Sequence, residues 1–363
     1  TTYKPPNQNT HFLVSGGGKG ITALNVIAIA EAYHSRFTLI GRSELLDAEP
    51  DWALGMDENN KLKQAFIQEA QNLDQKITPK VVEKEINRIL SSREIRDTLD
   101  KIHLAGGTGK YLQVDISDPV QLEKILKDTS SEINAILHGA GVLADKLIED
   151  KTKKDFDLVY AVKVGGLKSL LDLIPPDQLE YLILFSSVAG FYGNAGQTDY
   201  SLSNEILNKY AHHLKLVYPN CRILSLGWGP WDGGMVTPQL KRIFNRRNIP
   251  LISPENGTKS LVQLLEKPQA NPQFMIGEPL PSPAPVMKSG LRSFQIARRM
   301  DLELNPFLAD HVIDGNAVLP TVNAISWMIQ ACESLYPAFQ FFKVADYKVF
   351  KGIVFDQHHP SEY

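Results

Sequence analysis

Short, almost wholly apolar segments alternate with longer segments of helical periodicity from residue 11 onward. The absence of an apolar–polar alternation in the short segments indicates strands that are covered on both faces, as in a parallel sheet. The pattern therefore predicts an α/β fold with a doubly wound parallel sheet. The seven predicted strands are His11–Val14, Phe37–Ile40, Tyr111–Val114, Ala135–Leu137, Tyr181–Phe185, Arg222–Leu226 and Phe274–Ile276.

About seventy residues separate the second predicted strand from the third, far more than one crossover helix requires. Within this stretch Val82, Ile86 and Ile89 follow the spacing of one helix face, and Thr78 precedes a proline in the manner of a helix start. We predict a helical insertion over residues 44–104. Because its titratable residues are not clustered, we expect the insertion to pack or to face a partner rather than to act in catalysis.

A segment rich in proline, serine and glycine follows the last predicted strand and indicates a linker. Beyond it lie a helix candidate, Val322–Cys332, and two strand-like runs, Phe341–Val344 and Val349–Phe355. These elements predict an α+β segment that is too small to close a full domain. The predicted organisation is a domain over 1–280, a linker over 281–292 and a partial domain over 293–363.

The composition excludes several classes of protein. The 363 residues contain 38 Lys and Arg against 41 Asp and Glu, a net charge of −3, so nothing favours nucleic acid as a partner. The two cysteines, Cys221 and Cys332, lack the spacing of a disulfide framework or of a metal site. No apolar run approaches the roughly 18 residues of a membrane span, and the polar N-terminus is unlike a signal peptide. We therefore predict a cytoplasmic protein without a metal.

A glycine-rich segment, Ser15–Thr22, follows the first predicted strand and opens a helical pattern. Glycines there let the backbone approach a diphosphate, and the helix N-terminus offers free N–H groups and a partial positive charge. The segment predicts a dinucleotide site, although a glycine cluster alone also fits a simple tight turn. The residues expected at the diphosphate are Ser15, Gly16, Gly18, Gly20 and Ile21.

The end of the second strand indicates which dinucleotide binds. Arg42, followed by Ser43, stands where NAD-binding proteins usually have an acidic residue, and its guanidinium can pair with the ribose 2′-phosphate of NADPH. NADPH is therefore favoured over NADH. Asp115, which precedes Ile116 at the end of the third strand, either accepts a hydrogen bond from the adenine amine or serves a turn or helix cap. Small residues after the fourth strand leave room for a ribose and a nicotinamide: Gly139, Ala140 and Gly141.

Three residues near the middle of the chain, Ser187, Tyr200 and Asn204, have the spacing Ser-x12-Tyr-x3-Asn. This spacing is typical of nicotinamide-dependent carbonyl reductases, in which a phenol donates a proton to the oxygen that gains charge. Such enzymes usually have a lysine where this chain has Asn204. Either the site is disabled, or the lysine comes from another part of the chain.

Together these motifs make residues 11–278 similar to the short-chain dehydrogenase/reductase superfamily, and specifically to ketoreductase domains of polyketide and polyunsaturated-fatty-acid synthases. The resemblance implies a Rossmann fold, and the helical insertion is similar to that of the polyunsaturated-fatty-acid type. Thr22 departs from the family pattern, which has a glycine there, and should change how the helix packs on the strand. The motifs occur in family order: SGGGKGIT (Ser15–Thr22), LIGRS (Leu39–Ser43), HGAGVLAD (His138–Asp145), Lys163, FSSVAG (Phe185–Gly190), YSLSN (Tyr200–Asn204) and GWGPWDGGM (Gly227–Met235).

The resemblance resolves the missing lysine. In these ketoreductases the lysine and the asparagine exchange sequence positions, and Lys163, 24 residues before Ser187, stands where the family's lysine is expected. The family implies that Tyr200 donates the proton while the Lys163 ammonium favours its phenolate and grips the nicotinamide ribose. Ser187 would orient the substrate carbonyl, and Asn204 would hold Lys163 or a relay water. Ser186 is the competing serine, one residue off the family spacing.

The resemblance also implies a substrate and a product. These domains reduce a β-ketoacyl thioester that phosphopantetheine tethers to an acyl carrier protein, beside neighbouring synthase domains. Gly229 and Pro230 are expected at the cofactor. Residues 142–145, VLAD, match the LDD-type loop of ketoreductases that form the 3R alcohol, with Asp145 kept, and the tryptophan of the opposite class is replaced by Tyr192. We expect the 3R product.

Residues 305–320, NPFLADHVIDGNAVLP, contain the spacing His-x3-Gly-x4-Pro from His311. They resemble the first hot-dog fold of polyketide and fatty-acid dehydratases, where the histidine removes an α-proton. A histidine in a strand turn is the alternative. Because the family's partner aspartate comes from a second hot dog, we expect His311 to be catalytically incomplete in this chain.

Two other functions remain open at this point. An inactive reductase-like domain that docks neighbouring synthase domains would carry the same motifs, and titration with NADPH would distinguish it from an enzyme. A nucleotide-sugar epimerase is disfavoured because such enzymes use a tyrosine-x3-lysine pair, which Tyr200 and Asn204 do not form.

Overall fold

The computed structural model describes most of the chain, and the described part divides into two compact units, residues 1–278 and 279–363. The predicted linker, 281–292, lies outside the described residues. The described residues are 4–75, 77–234, 236, 238–246, 249–277, 296–297, 300, 305–336 and 340–355.

Seven strands of the first unit form one sheet: β1 (His11–Ser15), β2 (Arg36–Gly41), β3 (Thr108–Gln113), β4 (Ala135–His138), β5 (Tyr181–Ser187), β6 (Arg222–Trp228) and β7 (Gln273–Ile276). Their order is β3-β2-β1-β4-β5-β6-β7, and every neighbouring pair is parallel. The predicted doubly wound sheet is confirmed. Its strand order reverses between β1 and β4, which is where sheets of this kind bind dinucleotides.

The described helices of the first unit are α1 (Gly20–Tyr33), α2 (Asn59–Asn72), α3 (Pro79–Leu104), α4 (Pro119–Leu126), α5 (Lys153–Tyr160), α6 (Gly166–Leu173), α7 (Val188–Tyr192), α8 (Thr198–Val217), α9 (Pro238–Arg246) and α10 (Pro254–Glu266). A π-helical turn, Ala161–Gly165, joins α5 to α6. In β1, Leu13 enters the core on one face of the sheet, whereas Phe12 and Val14 enter the core on the other. Burial of both faces explains the continuous apolar runs. Within the described ranges, no helix is long and apolar enough to cross a membrane.

The predicted helical insertion between the second and third strands is confirmed as α2, α3 and a short 3-10 turn, Asp51–Ala53. The side chain of Thr78 caps α3 by accepting a hydrogen bond from the Val81 N–H, with proline at the first helical position. The insertion has a small core of its own, to which Leu62 and Ile86 contribute. The C-terminal end of α3 packs against the sheet instead, because Ile102 lies in the same core cluster as Phe12 and Val14 of β1.

The second unit contains a small antiparallel sheet, β8 (Val312–Ile313), β9 (Asn316–Val318) and β10 (Val354–Phe355), and a helix, α11 (Thr321–Leu335). The predicted α+β character is confirmed. The predicted strand Phe341–Val344 is wrong, and of Val349–Phe355 only the last two residues are a strand. A strand needs a neighbour that supplies backbone hydrogen bonds, and no described segment pairs with Phe341–Val344.

Candidate active site

The glycine-rich turn begins where β1 ends, directly beside the end of β4. Gly16 has φ +71°, and a Cβ there would stand 3.0 Å from backbone atoms of Ala140. Only glycine fits both the conformation and this close approach. The Gly16 N–H donates to the Ile40 carbonyl at 2.8 Å, so β2 also holds the turn. The backbone leading into α1 is thereby placed for the approach of a bound group, as the sequence predicts.

A buried histidine connects this turn to Lys163. His138, the last residue of β4, is fully buried, and its Nε2 bonds to the Lys163 carbonyl oxygen at 2.8 Å. A carbonyl only accepts, so Nε2 carries the proton and Nδ1 accepts from the Ser15 hydroxyl at 2.7 Å. Ser15 Oγ in turn accepts from the Ala140 N–H at 3.2 Å. Burial, and then the charge of Lys163, lower the His138 pKa to about 4, which keeps the ring neutral.

Lys163 lies on the π-helical turn and is only 3% exposed. Its Nζ donates to the Phe185 carbonyl of β5 at 2.7 Å and stands 5.5 Å from the centre of the Tyr200 ring. Burial lowers the Lys163 pKa to about 7. A π-turn adds a residue to a helix and is frequent at functional sites, and here it carries the lysine.

Tyr200 and Asn204 lie one turn apart on α8. The Asn204 amide donates to the Tyr200 carbonyl at 2.8 Å, and its buried Oδ1 has no hydrogen-bond partner among the described residues. Burial raises the Tyr200 pKa, and the nearby side chains of Asn204 and Ser187 partly oppose this. The phenol is therefore protonated near neutral pH and can donate. The structure shows no direct hydrogen bond between Asn204 and Lys163 in the described part of the chain, so only a bridging water could join them.

The two serines at the end of β5 have different surroundings. Ser186 is 4% exposed, and its hydroxyl donates to the Asn204 carbonyl at 3.1 Å. Ser187 caps α7 by accepting from the Ala189 N–H at 3.1 Å, which leaves its own O–H free to donate. Ser186 therefore fastens α8 to the sheet, whereas Ser187 can bind a carbonyl oxygen.

The insertion reaches the glycine-rich turn, which its sequence did not indicate. On α3, the Glu94 carboxylate accepts from the Gly20 N–H at 2.9 Å. Ser91 accepts from the Lys19 ammonium at 2.9 Å, and Thr98 donates to the Gly18 carbonyl at 3.1 Å. Three positions on one face of α3 thus hold the turn. This part of the insertion packs against the glycine-rich turn, in agreement with the expected packing role.

Residues at the ends of β2 and β3 lie where the adenosine end of a dinucleotide is expected. Arg42 is exposed and forms no direct ion pair with a described carboxylate, but its charge contributes to lowering the Asp115 pKa. Asp115 accepts from the Ser117 N–H at 2.9 Å and its hydroxyl at 2.7 Å, and despite the effect of burial these bonds lower the Asp115 pKa. That is the turn role which the sequence left open. Ser43 accepts from the Tyr111 hydroxyl at 2.7 Å, and Ile116 is buried.

The other predicted residues lie in loops at the same edge of the sheet. A Cβ on Gly141 would stand 3.2 Å from Lys163 Cε. The Gly229 N–H donates to the Ile276 carbonyl at 2.8 Å, and the Pro230 carbonyl accepts from the Ile252 N–H at 2.8 Å. These bonds attach the loop after β6 to the neighbouring chain segments. The resemblance implies that residues 235–250, after β6, line the substrate pocket, and of these the structure describes 236, 238–246 and 249–250.

Thr22, Asp145 and Tyr192 are the remaining residues of the reductase site that the sequence analysis singled out. The Thr22 side chain occupies the space where a Cβ on Gly139 would lie, at 2.4 Å, so glycine at 139 accommodates the larger residue in α1. The exposed Asp145 carboxylate accepts from the Gln197 amide at 2.9 Å. Tyr192 is 50% exposed on α7.

These residues fit a dinucleotide in two respects. The glycine-rich turn has a tight backbone beside a helix start, and a buried amide oxygen of Asn204 lacks a partner next to the lysine and tyrosine. Sequence reasoning identified the turn, the lysine and the tyrosine. It missed His138 and Glu94 as contacts of the site. His138 could have been recognised as the polar residue that ends an apolar strand. Nothing in the sequence around Glu94 indicates its contact with Gly20.

In the second unit, His311 lies just before β8. Its Nδ1 donates to the Val318 carbonyl at 2.8 Å, which leaves Nε2 free in the neutral ring. No described carboxylate lies within ion-pair distance of the ring. Asp314 and Gly315, with φ +51° and +81°, form the turn between β8 and β9.

Comparisons with known proteins identify relatives of both units. A family model described as KR domain matches residues 10–233, and one described as polyketide synthase dehydratase domain matches residues 286–362. A polyunsaturated fatty acid synthase subunit of Thraustochytrium sp. is 34% identical over 355 residues, which are 95% of this chain and 12% of that protein. Polyketide synthase PksN of Bacillus subtilis is 30% identical over 243 residues, 62% of this chain and 4% of that protein. The chain thus spans a small part of these relatives.

Solved structures show the same fold. An N-terminal ketoreductase from the macrolactin assembly line matches 76% of this chain and 46% of its own, with a TM-score of 0.55 and 23% identity. A ketoreductase domain from the bacillaene assembly line matches 76% of this chain and 57% of its own, with a TM-score of 0.56 and 23% identity.

Proposed function

The chain belongs to the ketoreductase family of polyketide and polyunsaturated fatty acid synthases, and on that premise we propose that it reduces a β-ketoacyl thioester with NADPH. The family makes it an oxidoreductase of the short-chain dehydrogenase/reductase type, followed by the N-terminal part of a polyketide synthase dehydratase domain. The observation that carries the proposal is that buried Lys163, whose Nζ donates to Phe185 on β5, stands 5.5 Å from the Tyr200 ring, with Ser187 at the end of the same strand.

The side chains supply proton transfer and orientation. NADPH, when bound, supplies the hydride. Tyr200 is protonated near neutral pH and donates its proton to the oxygen that gains charge. Ser187 holds that oxygen through its free O–H, as an oxyanion-stabilising donor. Lys163, as an ammonium, grips the nicotinamide ribose and favours proton release by the phenol. The buried Asn204 oxygen has no described partner and is therefore free to accept from a relay water.

The preference for NADPH rests on Arg42. Its exposed side chain at the end of β2 forms no direct ion pair with a described carboxylate, so the guanidinium can reach a ribose 2′-phosphate. Asp115 already accepts two hydrogen bonds from Ser117, which leaves its second carboxylate oxygen for the adenine amine. Kd values for NADPH and NADH measured in parallel test this preference, and equal values would contradict it.

We propose an acyl chain tethered to an acyl carrier protein as substrate and the 3R alcohol as product. Apolar side chains are exposed on the loop after β4 and on α7, among them Leu147, Ile148 and Phe191. They support a surface that an acyl-pantetheine approaches. Asp145 supports the 3R assignment by family resemblance, and chiral analysis showing mainly the 3S alcohol would contradict it. Neighbouring synthase domains and a cytoplasmic location remain predictions.

Substitution of Tyr200 by phenylalanine tests the central assignment. We expect a loss of about 10²–10⁴-fold in kcat with an unchanged NADPH affinity, because only the proton donor is removed. Tyr210→Phe, on the exposed face of the same helix, is the matched control and should retain full activity. An active Tyr200→Phe variant would refute the mechanism. An inactive wild type that still binds NADPH, titrated by fluorescence, would favour the docking domain instead.

For the second unit we propose that His311 is the base of a dehydratase. Its Nε2 is free because Nδ1 donates to Val318, and no described carboxylate lies within ion-pair distance of the ring to serve as a partner acid. We therefore expect the β-hydroxyacyl product of this chain to accumulate without loss of water, as mass spectrometry would show.

A further inference from the structure

A buried ion pair joins the loop after β4 to the start of the helix that carries Tyr200. Lys151 Nζ stands 2.8 Å from Asp199 Oδ2, and the two side chains are 6% and 0% exposed. The same Nζ donates to the Ala144 carbonyl at 2.8 Å. The other carboxylate oxygen of Asp199 accepts from the Tyr200 N–H at 2.9 Å. An unbroken chain of hydrogen bonds therefore runs from Ala144 to the backbone of Tyr200.

Two weaker contacts join the same two segments. The Lys146 N–H donates to the Gly196 carbonyl at 2.9 Å, and the Gln197 amide donates to the Asp145 carboxylate at 2.9 Å. Both lie nearer to solvent than the ion pair, since Asp145 and Lys146 are exposed. In the described structure, the ion pair thus supplies the only buried charges among the contacts that fasten this loop to α8.

Stability is a poor explanation for this pair. Removing two charges from water is costly, and an apolar pair of the same size is often at least as stable. A geometric role explains it better, because an ammonium with a carbonyl and a carboxylate in one buried pocket permits only one arrangement of the three groups. By contrast, Lys153 and Asp157 on α5 form an exposed pair, with side chains 87% and 54% accessible, that ties nothing to the site.

We propose that Lys151 and Asp199 are positioning residues that set the distance between the Ala144–Asp145 loop and Tyr200, and thereby decide which face of the ketone is reduced. The inference rests on the proposed ketoreductase function. It assigns stereocontrol to the ion pair as well as to the loop sequence. Loosening the pair lets the loop move relative to the proton donor, so that the substrate can bind with either face toward the hydride.

The test measures the product of a short β-ketoacyl N-acetylcysteamine thioester by chiral chromatography. For Lys151→Met we expect at least a tenfold lower kcat and a ratio of the two alcohols that moves toward one to one. NADPH affinity should stay within about twofold. Lys151→Arg keeps both hydrogen bonds and should restore the wild-type ratio, and Lys153→Met is the matched control on the exposed pair.

A merely structural role predicts a different result. If the alcohol ratio of Lys151→Met equals that of the wild type, and activity simply follows the folded fraction, the inference is overturned. Should the single variant fail to fold, the double variant Lys151→Met with Asp199→Asn removes both charges and keeps an acceptor for the Tyr200 N–H, and its ratio decides. A wild type that reduces no β-ketoacyl thioester overturns the proposed function itself. A stereospecific wild type with unaltered variants overturns only this inference.

Discussion

The candidate reductase site is assembled from residues far apart along the chain, whereas His311 in the second unit bonds to a residue close by. Ser15 and His138, which share a hydrogen bond, are 123 positions apart. His311 and Val318 are 7 positions apart. The parallel sheet accounts for the difference, because the carboxyl ends of its strands meet at one edge whatever their separation in sequence. A hairpin turn can hold one side chain, but only a sheet edge gathers several.

The two sites also differ in burial. His138 and Lys163 are removed from water, and both have pKa values well below their usual ones, about 4 and about 7. His311 is only partly buried. Gathering distant residues therefore places them in a low-dielectric interior, where charge is costly and proton affinity changes. Long separation in sequence and perturbed ionisation therefore arise together here, from the same packing.

After Tyr200, the largest effect should come from Ser187, whose O–H is free to donate. We expect Ser187→Ala to lower kcat about 10²–10³-fold, because an oxyanion-stabilising donor is lost. Ser186→Ala removes only a bond to the Asn204 backbone and should cost much less. Steady-state kinetics of both variants would check this. Equal losses of activity in the two serine variants, or slower ketone reduction by His311→Ala, would contradict this difference between the two sites.

A smaller effect concerns stability in acid. The folded pKa of His138 is about 4, against 6.5 for a free histidine, so between these values the unfolded chain binds a proton that the folded chain does not. Stability therefore falls as the pH drops from 6.5 to 4, by about 3 kcal/mol for this group. His138→Gln should remove that share of the pH dependence, whereas His311→Gln should not.

Urea denaturation at pH 7 and at pH 4.5 would measure the change. His11, whose pKa is also lowered to about 4, chiefly by burial, contributes in the same range and is present in both variants. An unchanged difference between the two pH values in His138→Gln would show that His138 is not the titrating group.

The Lys163 pKa predicts a moderate effect on rate. Its charged form is lost as the pH rises through about 7, so kcat/KM should fall about tenfold per pH unit above that value. Lys163→Arg stays charged and should lack this decline, even if its overall rate is lower. Profiles between pH 6 and 9 would check this. A flat wild-type profile would argue against an essential ammonium, and His311→Ala should reproduce the wild-type curve.

The smallest effect concerns Glu94, which lies on the insertion. Its carboxylate accepts from the Gly20 N–H at the start of α1, where a bound diphosphate would meet a negative charge. Glu94→Gln keeps an acceptor and removes the charge, so NADPH should bind a few-fold more tightly. Glu83→Gln, exposed on the same helix, is the control. Weaker binding by Glu94→Gln would mean that the carboxylate contributes to the cofactor site.

Much of the fold follows from local pattern. The strands are recognisable as apolar runs because both faces of the sheet are buried. Thr78 is recognisable as a helix cap because its hydroxyl can accept a hydrogen bond from a free N–H of the first helical turn. β3 begins at Thr108, before the predicted Tyr111, because pairing with β2 extends it into residues that are half-exposed at the sheet edge. Pairing, which is not local, also explains why Phe341–Val344 forms no strand.

The spacing of residues along single segments determined the doubly wound sheet, the glycine-rich turn and the family of this protein, because helix period, strand burial and motif order are properties of the chain itself. Only the tertiary structure decided how the site is connected. The contacts of His138 with Ser15 and Lys163, of Glu94 with Gly20 and of Lys151 with Asp199 join segments that no sequence period relates. Such contacts exist only after the sheet has brought its strand ends together. For His138 and for the Lys151–Asp199 pair the physical reason is burial, since a buried charge or donor must find a partner.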